Sequence, residues 1–274
     1  MIDPADPQQL DGLLRRHRIT LRRRLGQNFL IDSQLRDAIA DAAGLDRDDE
    51  VLEVGAGVGT LTIALARRAR RVVAVELDRD LIPALRETVG DLASVEIVQG
   101  DILRLDLNCE FVVGNIPYNL TGELVRKLLD RLPRPRRLSL VVQKEVAERW
   151  AATTSASLAT VAVQVFARPR IVMTIPAGAF TPVPRVDSAM VVLEVRDKPA
   201  VDVEPEPFLS FVEAVFQFRR KQLGGTLARI ANLSGVEAAR RLNELGVQGT
   251  RRPQTLSLPE WETVYRAFNP SGDR

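Results

Sequence analysis

Residues 53–60 read Glu53-Val54-Gly55-Ala56-Gly57-Val58-Gly59-Thr60, and this stretch decides the fold because its glycines follow a short apolar run and precede a helical pattern. Glycine lets a ligand approach the backbone closely, so Gly55 and Gly57 are candidate ligand-binding residues. Glu76 ends the next apolar run, about twenty residues on, where a carboxylate can accept hydrogen bonds from ribose hydroxyls. The pattern is typical of a nucleotide-binding βαβ unit, and both NAD and S-adenosylmethionine satisfy it. Glycines that only form a tight turn between strand and helix are the alternative interpretation.

Short apolar runs alternate with helical patterns on both sides of this motif. Runs that predict strands, rich in β-branched residues, occur at residues 50–54, 72–76, 95–98, 111–113 and 138–142. Strands that alternate with helices form a parallel sheet covered on both faces, so we expect an α/β fold. Two further runs, residues 161–166 and 190–195, lack a clear helix between them and predict strands that complete the sheet antiparallel.

The composition changes after residue 197. Residues 198–207, KPAVDVEPEP, are acidic and hold three prolines, which is typical of an extended linker. Beyond them the pattern is only helical. The sequence therefore predicts a catalytic domain over residues 1–197, a linker over 198–207 and a small all-α domain over 208–274.

Overall composition excludes several classes of protein. The 274 residues are 45% hydrophobic and 27% charged, as in an ordinary globular chain that can bury a core. No apolar run approaches the ~18 residues that a membrane span needs. The first ten residues carry acids and prolines where a secretory signal has basic and then apolar residues. We expect a cytoplasmic protein without a membrane partner.

Metal chemistry is also disfavoured. One cysteine, Cys109, excludes an internal disulfide framework and a thiolate metal cluster. One histidine, His17, argues against a zinc site and against a histidine-based catalytic triad. A magnesium site made of carboxylates alone stays open, but we expect no metal.

Basic residues are clustered although the formal net charge is only +2. Six arginines fall within residues 15–24, among them Arg22, Arg23 and Arg24, and a second run, Arg219, Arg220 and Lys221, lies in a predicted C-terminal helix. The planar guanidinium suits phosphate. Two basic clusters indicate a polyanionic partner, and the expected binding residues are Arg22, Arg23, Arg24, Arg219, Arg220 and Lys221.

Asp101 follows the third predicted strand of the sheet, in the sequence Gly100-Asp101-Ile102. The carboxyl ends of parallel strands meet at one edge, so its carboxylate is placed to accept a hydrogen bond from an adenine amino group. An ordinary turn or helix-cap aspartate is the alternative interpretation.

The most specific motif is Gly114-Asn115-Ile116-Pro117-Tyr118-Asn119, after the fourth predicted strand. An exocyclic amine is a poor nucleophile because its lone pair is delocalised into the purine ring. The side-chain oxygen of Asn115 and the carbonyl of Ile116 can both accept from such an amine, with Pro117 fixing their relative placement. Tyr118 then offers a ring on which the base can stack. The motif predicts methylation of an exocyclic amine, and an Asn-Pro turn with a core tyrosine is the alternative interpretation.

Ordered agreement over many segments gives a resemblance that spans nearly the whole chain. The matching segments are LGQNFLID at residues 25–32, EVGAGVGTLT at 53–62, VELD at 75–78, GDIL at 100–103, GNIPYN at 114–119, VQKEVAER at 142–149, FTPVPRVDSAM at 180–190, FRRKQL at 218–223 and RRPQTLSLPEW at 251–261. They resemble the ribosomal RNA adenine-N6 dimethyltransferase family, and most of all its bacterial small-subunit members. The resemblance implies a Rossmann-like class I methyltransferase sheet with S-adenosylmethionine as cofactor.

The resemblance also implies roles for single residues. Asn28 and Leu30 would close over the methyl donor, and Gly55 would lie against its methionine portion. Glu76 and Asp101 would hold its ribose and its adenine. At the target base, Asn115 would contact both the donor and the amine, and Tyr118 and Phe180 would sandwich the adenine.

The expected reaction is therefore two successive methyl transfers from S-adenosylmethionine to N6 of each of two adjacent adenosines. The product is N6,N6-dimethyladenosine in a hairpin loop of small-subunit (16S) rRNA, with S-adenosylhomocysteine released, during ribosome biogenesis. We expect a monomer that acts on ribosomal RNA within an immature small subunit.

Three alternatives stay open. A macrolide-resistance methyltransferase that acts on large-subunit rRNA shares the same catalytic core. An NAD-dependent oxidoreductase is disfavoured because Thr60 stands where a dinucleotide fingerprint has its third glycine, and by the Asn-Ile-Pro-Tyr motif. A non-catalytic ribosome-assembly factor is disfavoured by the intact Asn115–Tyr118 segment.

Overall fold

A mostly parallel sheet organises the first part of the chain in the computed structural model, which describes residues 2–20, 26–90, 92–155 and 157–269. The strands are β1 (Phe29–Leu30), β2 (Glu50–Val54), β3 (Arg71–Glu76), β4 (Val95–Gln99), β5 (Phe111–Asn115), β6 (Arg137–Gln143), β7 (Ala167–Ile175), β8 (Phe180–Thr181) and β9 (Ser188–Val195). Within the described residues, seven of them form one sheet in the order β4-β3-β2-β5-β6-β9-β7. The pairs from β4 to β6 are parallel, which confirms the predicted α/β class.

Helices connect the parallel strands and make up the end of the chain. They are α1 (Pro7–Arg16), α2 (Ser33–Ala42), α3 (Thr60–Leu65), α4 (Ile82–Val89), α5 (Thr121–Asp130), α6 (Lys144–Ala151), α7 (Leu158–Phe166), α8 (Pro205–Phe216), α9 (Leu223–Ile230), α10 (Gly235–Glu244) and α11 (Leu258–Phe268). Among these helices, none combines the length and the apolar character that a membrane span requires.

The middle strands of the sheet are apolar because helices cover both of its faces. Val51, Leu52, Val112 and Val113 are at most 1% exposed, so successive residues of β2 and β5 are buried whichever face they point to. The second small sheet consists of β1 and β8, which pair antiparallel with Leu30 opposite Phe180. This pairing attaches the segment that follows the N-terminal helix to the segment that carries Phe180.

The end of the sheet differs in part from the prediction. Strand β9 pairs antiparallel with β6, as expected. Residues 161–166, predicted as a strand, instead belong to helix α7, and the strand that completes the sheet is β7. The apolar run Val161–Phe166 is buried nearly all round, so its hydrophobicity has no period that distinguishes helix from strand. Ser157 begins the helix by accepting a hydrogen bond from the Thr160 backbone N–H.

The chain divides into two compact units. The first comprises Met1–Ala147 with Pro169–Val195, and the second comprises Glu148–Arg168 with Arg196–Arg274. Helix α7 therefore groups with the C-terminal helices, whereas the sequence placed it in the catalytic domain. Helix α8 begins at Pro205, inside the segment predicted as a linker. In the second unit, Phe208 and Phe211 each pack edge-on against Tyr265, with ring centroids 5.5 Å apart.

Candidate active site

An open crevice lies at the carboxyl ends of the parallel strands in the first unit. Its space, including the part open to solvent, is about 1140 Å³. The residues predicted for donor binding and catalysis all line it: Asn28, Leu30, Gly55, Gly57, Glu76, Asp101, Asn115, Ile116, Pro117, Tyr118 and Phe180. Segments up to about 150 residues apart in sequence thus meet at the edge of the sheet where α/β proteins bind ligands.

The turn between β2 and α3 forms one wall of this crevice. Gly57 has φ of 59° and Gly59 has φ of 90°, in the left-handed region that side chains other than glycine rarely adopt. A Cβ at Gly59 would lie 2.9 Å from the Leu85 Cδ1 atom. The turn therefore needs glycine both for its backbone conformation and for the close approach of α4.

Glu76 ends β3 with its carboxylate held by two backbone donors. One oxygen accepts from the Gly57 N–H at 2.7 Å, and the other accepts from the Asp78 N–H at 2.8 Å. Burial raises the pKa of this carboxyl, and the two N–H donors act in the opposite direction. Each oxygen has a second lone pair, so the carboxylate can still accept hydrogen bonds from a ligand.

Asp101 lies in a turn after β4 that another helix holds in place. Its Oδ1 atom accepts from the Leu103 N–H at 3.0 Å, which fits the turn-residue interpretation as well as the ligand-binding one. Lys127 of α5 donates from Nζ to the carbonyls of Ile102 at 2.8 Å and Leu105 at 2.7 Å. The loop that carries Asp101 is thereby held by the helix that follows the Asn-Ile-Pro-Tyr motif.

Asn115 is the last residue of β5, and its side chain has a fixed orientation. Its Nδ2 atom donates to the Asn28 carbonyl at 2.9 Å. No described residue donates to its Oδ1 atom, which is left to accept from a ligand. The preceding residue, Gly114, has no room for a side chain, since a Cβ there would lie 2.5 Å from the Val54 carbonyl oxygen. The hydrogen bond to Asn28 thus orients the Asn115 amide so that Nδ2 is bonded within the protein and Oδ1 is available to a ligand.

The two candidate stacking residues differ in exposure. Tyr118 is half-buried, and its hydroxyl shares a hydrogen bond of 2.8 Å with Ser188 Oγ. Burial raises the pKa of this phenol, so it is protonated at neutral pH. Phe180 is only 1% exposed, although it lines the crevice from β8. Of the two rings, Tyr118 is therefore the one more open to a ligand.

The N-terminal segment reaches several parts of the site. Leu10 and Leu13 of α1 pack in one cluster with Phe29 and Val58, and Gln27 Nε2 donates to Asp78 Oδ2 at 2.8 Å. Asn28, Leu30 and Phe180 are expected from the family resemblance alone, since no pattern in the residues themselves points to them. A two-residue strand has no periodicity, and its partner β8 lies about 150 residues away in sequence.

A buried acid was missed by the sequence analysis. Glu53 of β2 is 2% exposed, it lines the crevice, and its Oε2 atom has no hydrogen-bond partner among the described residues. Burial, with a smaller contribution from the nearby Glu76 carboxylate, raises the pKa of Glu53 to about 7. The sequence feature that could have identified it is a glutamate near the end of the apolar strand β2, two residues before Gly55.

The basic clusters are only partly described. Arg219, Arg220 and Lys221 are exposed, and they lie in the turn between α8 and α9 rather than in a helix as predicted. None of the three forms an ion pair with a residue in the described part of the chain. Arg22, Arg23 and Arg24 lie outside the described residues.

Comparison with known proteins places the chain among RNA methyltransferases. The family model described as "Ribosomal RNA adenine dimethylase" matches residues 18–265. "Ribosomal RNA small subunit methyltransferase A" of Shouchella clausii is 38% identical, over 97% of this chain and 96% of the relative. The protein of the same name from Geobacillus thermodenitrificans is 39% identical, over 98% of each.

Two solved structures share the fold. A dimethyladenosine transferase from Plasmodium falciparum has a TM-score of 0.72 at 22% identity, covering 89% of this chain and 98% of that one. The 23S rRNA methyltransferase ErmE has a TM-score of 0.68 at 30% identity, covering 88% of this chain and 99% of that one.

Proposed function

The chain belongs to the ribosomal RNA adenine dimethylase family, and we propose that it transfers methyl groups from S-adenosylmethionine to N6 of two adjacent adenosines in small-subunit (16S) rRNA. The observation that carries the proposal is the crevice in which the glycine turn, Glu76, Asp101 and the Asn115–Tyr118 segment meet. Relatives matched over nearly their full length and named for the small subunit support this target.

The donor side of the crevice fits S-adenosylmethionine. Gly55 and Gly57 line the crevice, Glu76 has lone pairs available for ribose hydroxyls, and Asp101 can accept from the adenine amine. Asn28 and Leu30 line the crevice from the N-terminal segment. When bound, the donor supplies an electrophilic methyl group on a sulfonium. We assign no metal to the reaction.

The target side of the crevice uses acceptors and one open ring. Asn115 Oδ1 and the Ile116 carbonyl accept from the N6 amine, which draws the nitrogen lone pair out of conjugation with the purine. Tyr118 stacks on the base, and Phe180 bounds the base from the β8 side. The amine proton can leave after transfer, so no side chain needs to act as a strong base. Catalysis is then mainly alignment and exclusion of water.

Mapping the methylated nucleotide tests the proposal. Purified protein is incubated with radiolabelled S-adenosylmethionine and with ribosomal subunits from cells that lack small-subunit adenine dimethylation, and the RNA is analysed by primer extension. We expect two neighbouring stops in small-subunit rRNA, because dimethylation blocks the pairing edge of adenine. Absence of any adenine-N6 methylation would refute the proposal.

A large-subunit target is the second candidate, and the likeness to ErmE favours it. The same experiment decides between the two, because methylation confined to large-subunit rRNA would replace the first proposal with this one.

We further propose a cytoplasmic monomer that acts on an immature small subunit. The preferred stage of assembly is tested by comparing methylation of mature small subunits, of subunits from which proteins have been removed with increasing salt, and of assembly intermediates.

Replacement of Glu76 by glutamine is expected to weaken donor binding by about 10- to 150-fold. The amide keeps the size of the side chain but loses charged acceptors, each worth roughly 1.5–3 kcal/mol. Calorimetric titration with S-adenosylhomocysteine measures the effect. Glu96→Gln, at an exposed position of the neighbouring strand β4, is the control and should bind as the parent does. Equal affinity of Glu76→Gln and the parent would contradict the assignment.

Neutralising Arg219, Arg220 and Lys221 with glutamine is expected to flatten the salt dependence of RNA binding. Each lost phosphate contact on single-stranded RNA removes about 0.7 from the slope of log K against log salt, so the triple variant should lose roughly 2. Filter binding to small subunits at constant magnesium measures the slope. Arg240→Gln is the control, because Glu237 and Glu244 already pair with that arginine. An unchanged slope in the triple variant would exclude these residues from the RNA interface.

A further inference from the structure

We propose that Ser188 is a positioning residue for methyl transfer, which holds the Tyr118 ring in the direction that receives the target adenine. The inference rests on the proposed function. It starts from the hydrogen bond of 2.8 Å between Ser188 Oγ and the Tyr118 hydroxyl, which joins the first residue of β9 to the turn after β5.

Ser188 stands out within its strand. It is 0% exposed, and the four residues that follow it, Ala189–Val192, are apolar and fully buried. A buried hydroxyl without a partner costs free energy, and the Tyr118 hydroxyl removes this cost for Ser188. Antiparallel pairing opposite Gln143 of β6 fixes the Ser188 backbone. The Ser188 hydroxyl is therefore a fixed partner for the Tyr118 hydroxyl.

The geometry of tyrosine defines what this bond controls. The phenol oxygen lies on the axis of χ2, so holding it restricts χ1 and thus the direction of the ring. The backbone end is fixed as well, because the Ile116 N–H donates to the Val141 carbonyl at 3.0 Å and the Leu120 N–H donates to the Pro117 carbonyl at 2.9 Å. With both ends held, the half-buried ring of Tyr118 is preorganised before the base arrives.

The adjacent residue, Asp187, holds the segment that leads into the other aromatic residue, Phe180. Asp187 Oδ1 accepts from the Ala177 N–H at 2.9 Å, at the start of the short 3-10 helix Ala177–Ala179 that leads into Phe180. The Asp187 carbonyl accepts from the Lys144 N–H at 3.0 Å. Asp187, directly before β9, and Ser188, its first residue, thus hold the short helix that leads into Phe180 and the Tyr118 hydroxyl.

A double-mutant cycle tests the proposal. Ser188→Ala and Tyr118→Phe each remove the hydrogen bond and keep the ring, so each should lower the single-turnover rate of methyl transfer to small subunits by about three- to tenfold. The double variant should lose no more than either single variant, because one bond is broken in all three. Affinity for S-adenosylhomocysteine should stay at the parent value.

The control is Ser139→Ala. Ser139 is a buried serine on the adjacent strand β6, its hydroxyl has no partner among the described residues, and it does not line the crevice. Its variant should methylate at the parent rate.

The outcomes separate the two hypotheses. If the parent protein methylates no adenine, the proposed function fails and this inference fails with it. If the parent is active and Ser188→Ala or Tyr118→Phe keeps the full rate, or if their effects multiply in the double variant, the positioning role is refuted while the proposed function stands. If Ser188→Ala does not fold, Tyr118→Phe alone decides, since it leaves the buried serine in place.

Discussion

Replacement of Asn115 by alanine is expected to lower the single-turnover rate of methyl transfer by at least about 100-fold. Loss of one preorganised polar contact, or misplacement of a reacting atom, typically slows a reaction by about this factor. The variant loses the Oδ1 acceptor that no described residue uses. It also loses the hydrogen bond from Nδ2 to the Asn28 carbonyl, which is one of several contacts that hold the N-terminal segment. Donor affinity should change far less than the rate.

The measurement is a single-turnover time course at saturating small subunits, with donor affinity determined separately by titration. Asn119→Ala is the matched control, because Asn119 belongs to the same motif, is exposed and does not line the crevice. We expect it to react at the parent rate. Asn115→Ala at the parent rate would show that the amine is activated elsewhere, and a loss confined to donor affinity would reassign Asn115 to the donor alone.

The parts of this site that the sequence predicted are those that depend on strand ends. Glu76, Asp101 and Asn115 each follow or end a short apolar run, and parallel strands bring their carboxyl ends to one edge whatever the details of packing. The glycine turn was equally predictable, since left-handed backbone and close approach both call for glycine. Local spacing and sheet topology were sufficient for this half of the site.

The parts that the sequence did not predict depend on contacts between distant segments. The hydroxyl of Ser188 meets Tyr118 across 70 residues, and β1 meets β8 across about 150. Helix α7 was wrongly predicted as a strand because it is buried nearly all round, and complete burial removes the period of about 3.6 residues that identifies a helix. In each case the structure depends on which distant segment packs against the residues in question, and the local sequence pattern does not show this.

Replacement of Glu53 by glutamine is expected to stabilise the protein at alkaline pH. The pKa of Glu53 is about 7 in the folded protein and about 4.5 in the unfolded chain, so folding binds a proton between these values. The contribution of Glu53 to the free energy of unfolding is therefore largest below its unfolded pKa and falls by up to about 3 kcal/mol as pH rises through 7. Glutamine cannot ionise, so most of this loss should disappear in the variant.

Urea unfolding of the ligand-free protein at pH 5, 6, 7 and 8 measures the effect. The parent should lose stability over this range and Glu53→Gln should lose much less, with the two curves farthest apart at pH 8. Glu123→Gln, at an exposed position in the first turn of α5, controls for the loss of one carboxylate and should follow the parent. Parallel curves for Glu53→Gln and the parent would show that Glu53 is not a source of the pH dependence.

A destabilising buried acid is best explained by the ligand that the crevice takes. Glu53 lines the same crevice as Glu76, and the proposed donor carries positive charge, which favours the ionised form of a nearby carboxylate. The variant that is more stable without ligand should therefore bind S-adenosylmethionine more weakly than the parent at pH 8, an exchange of stability for function that is common at binding sites. If Glu53→Gln gains stability and binds the donor as tightly as the parent, the acid serves neither folding nor donor binding, and this explanation of its presence is wrong.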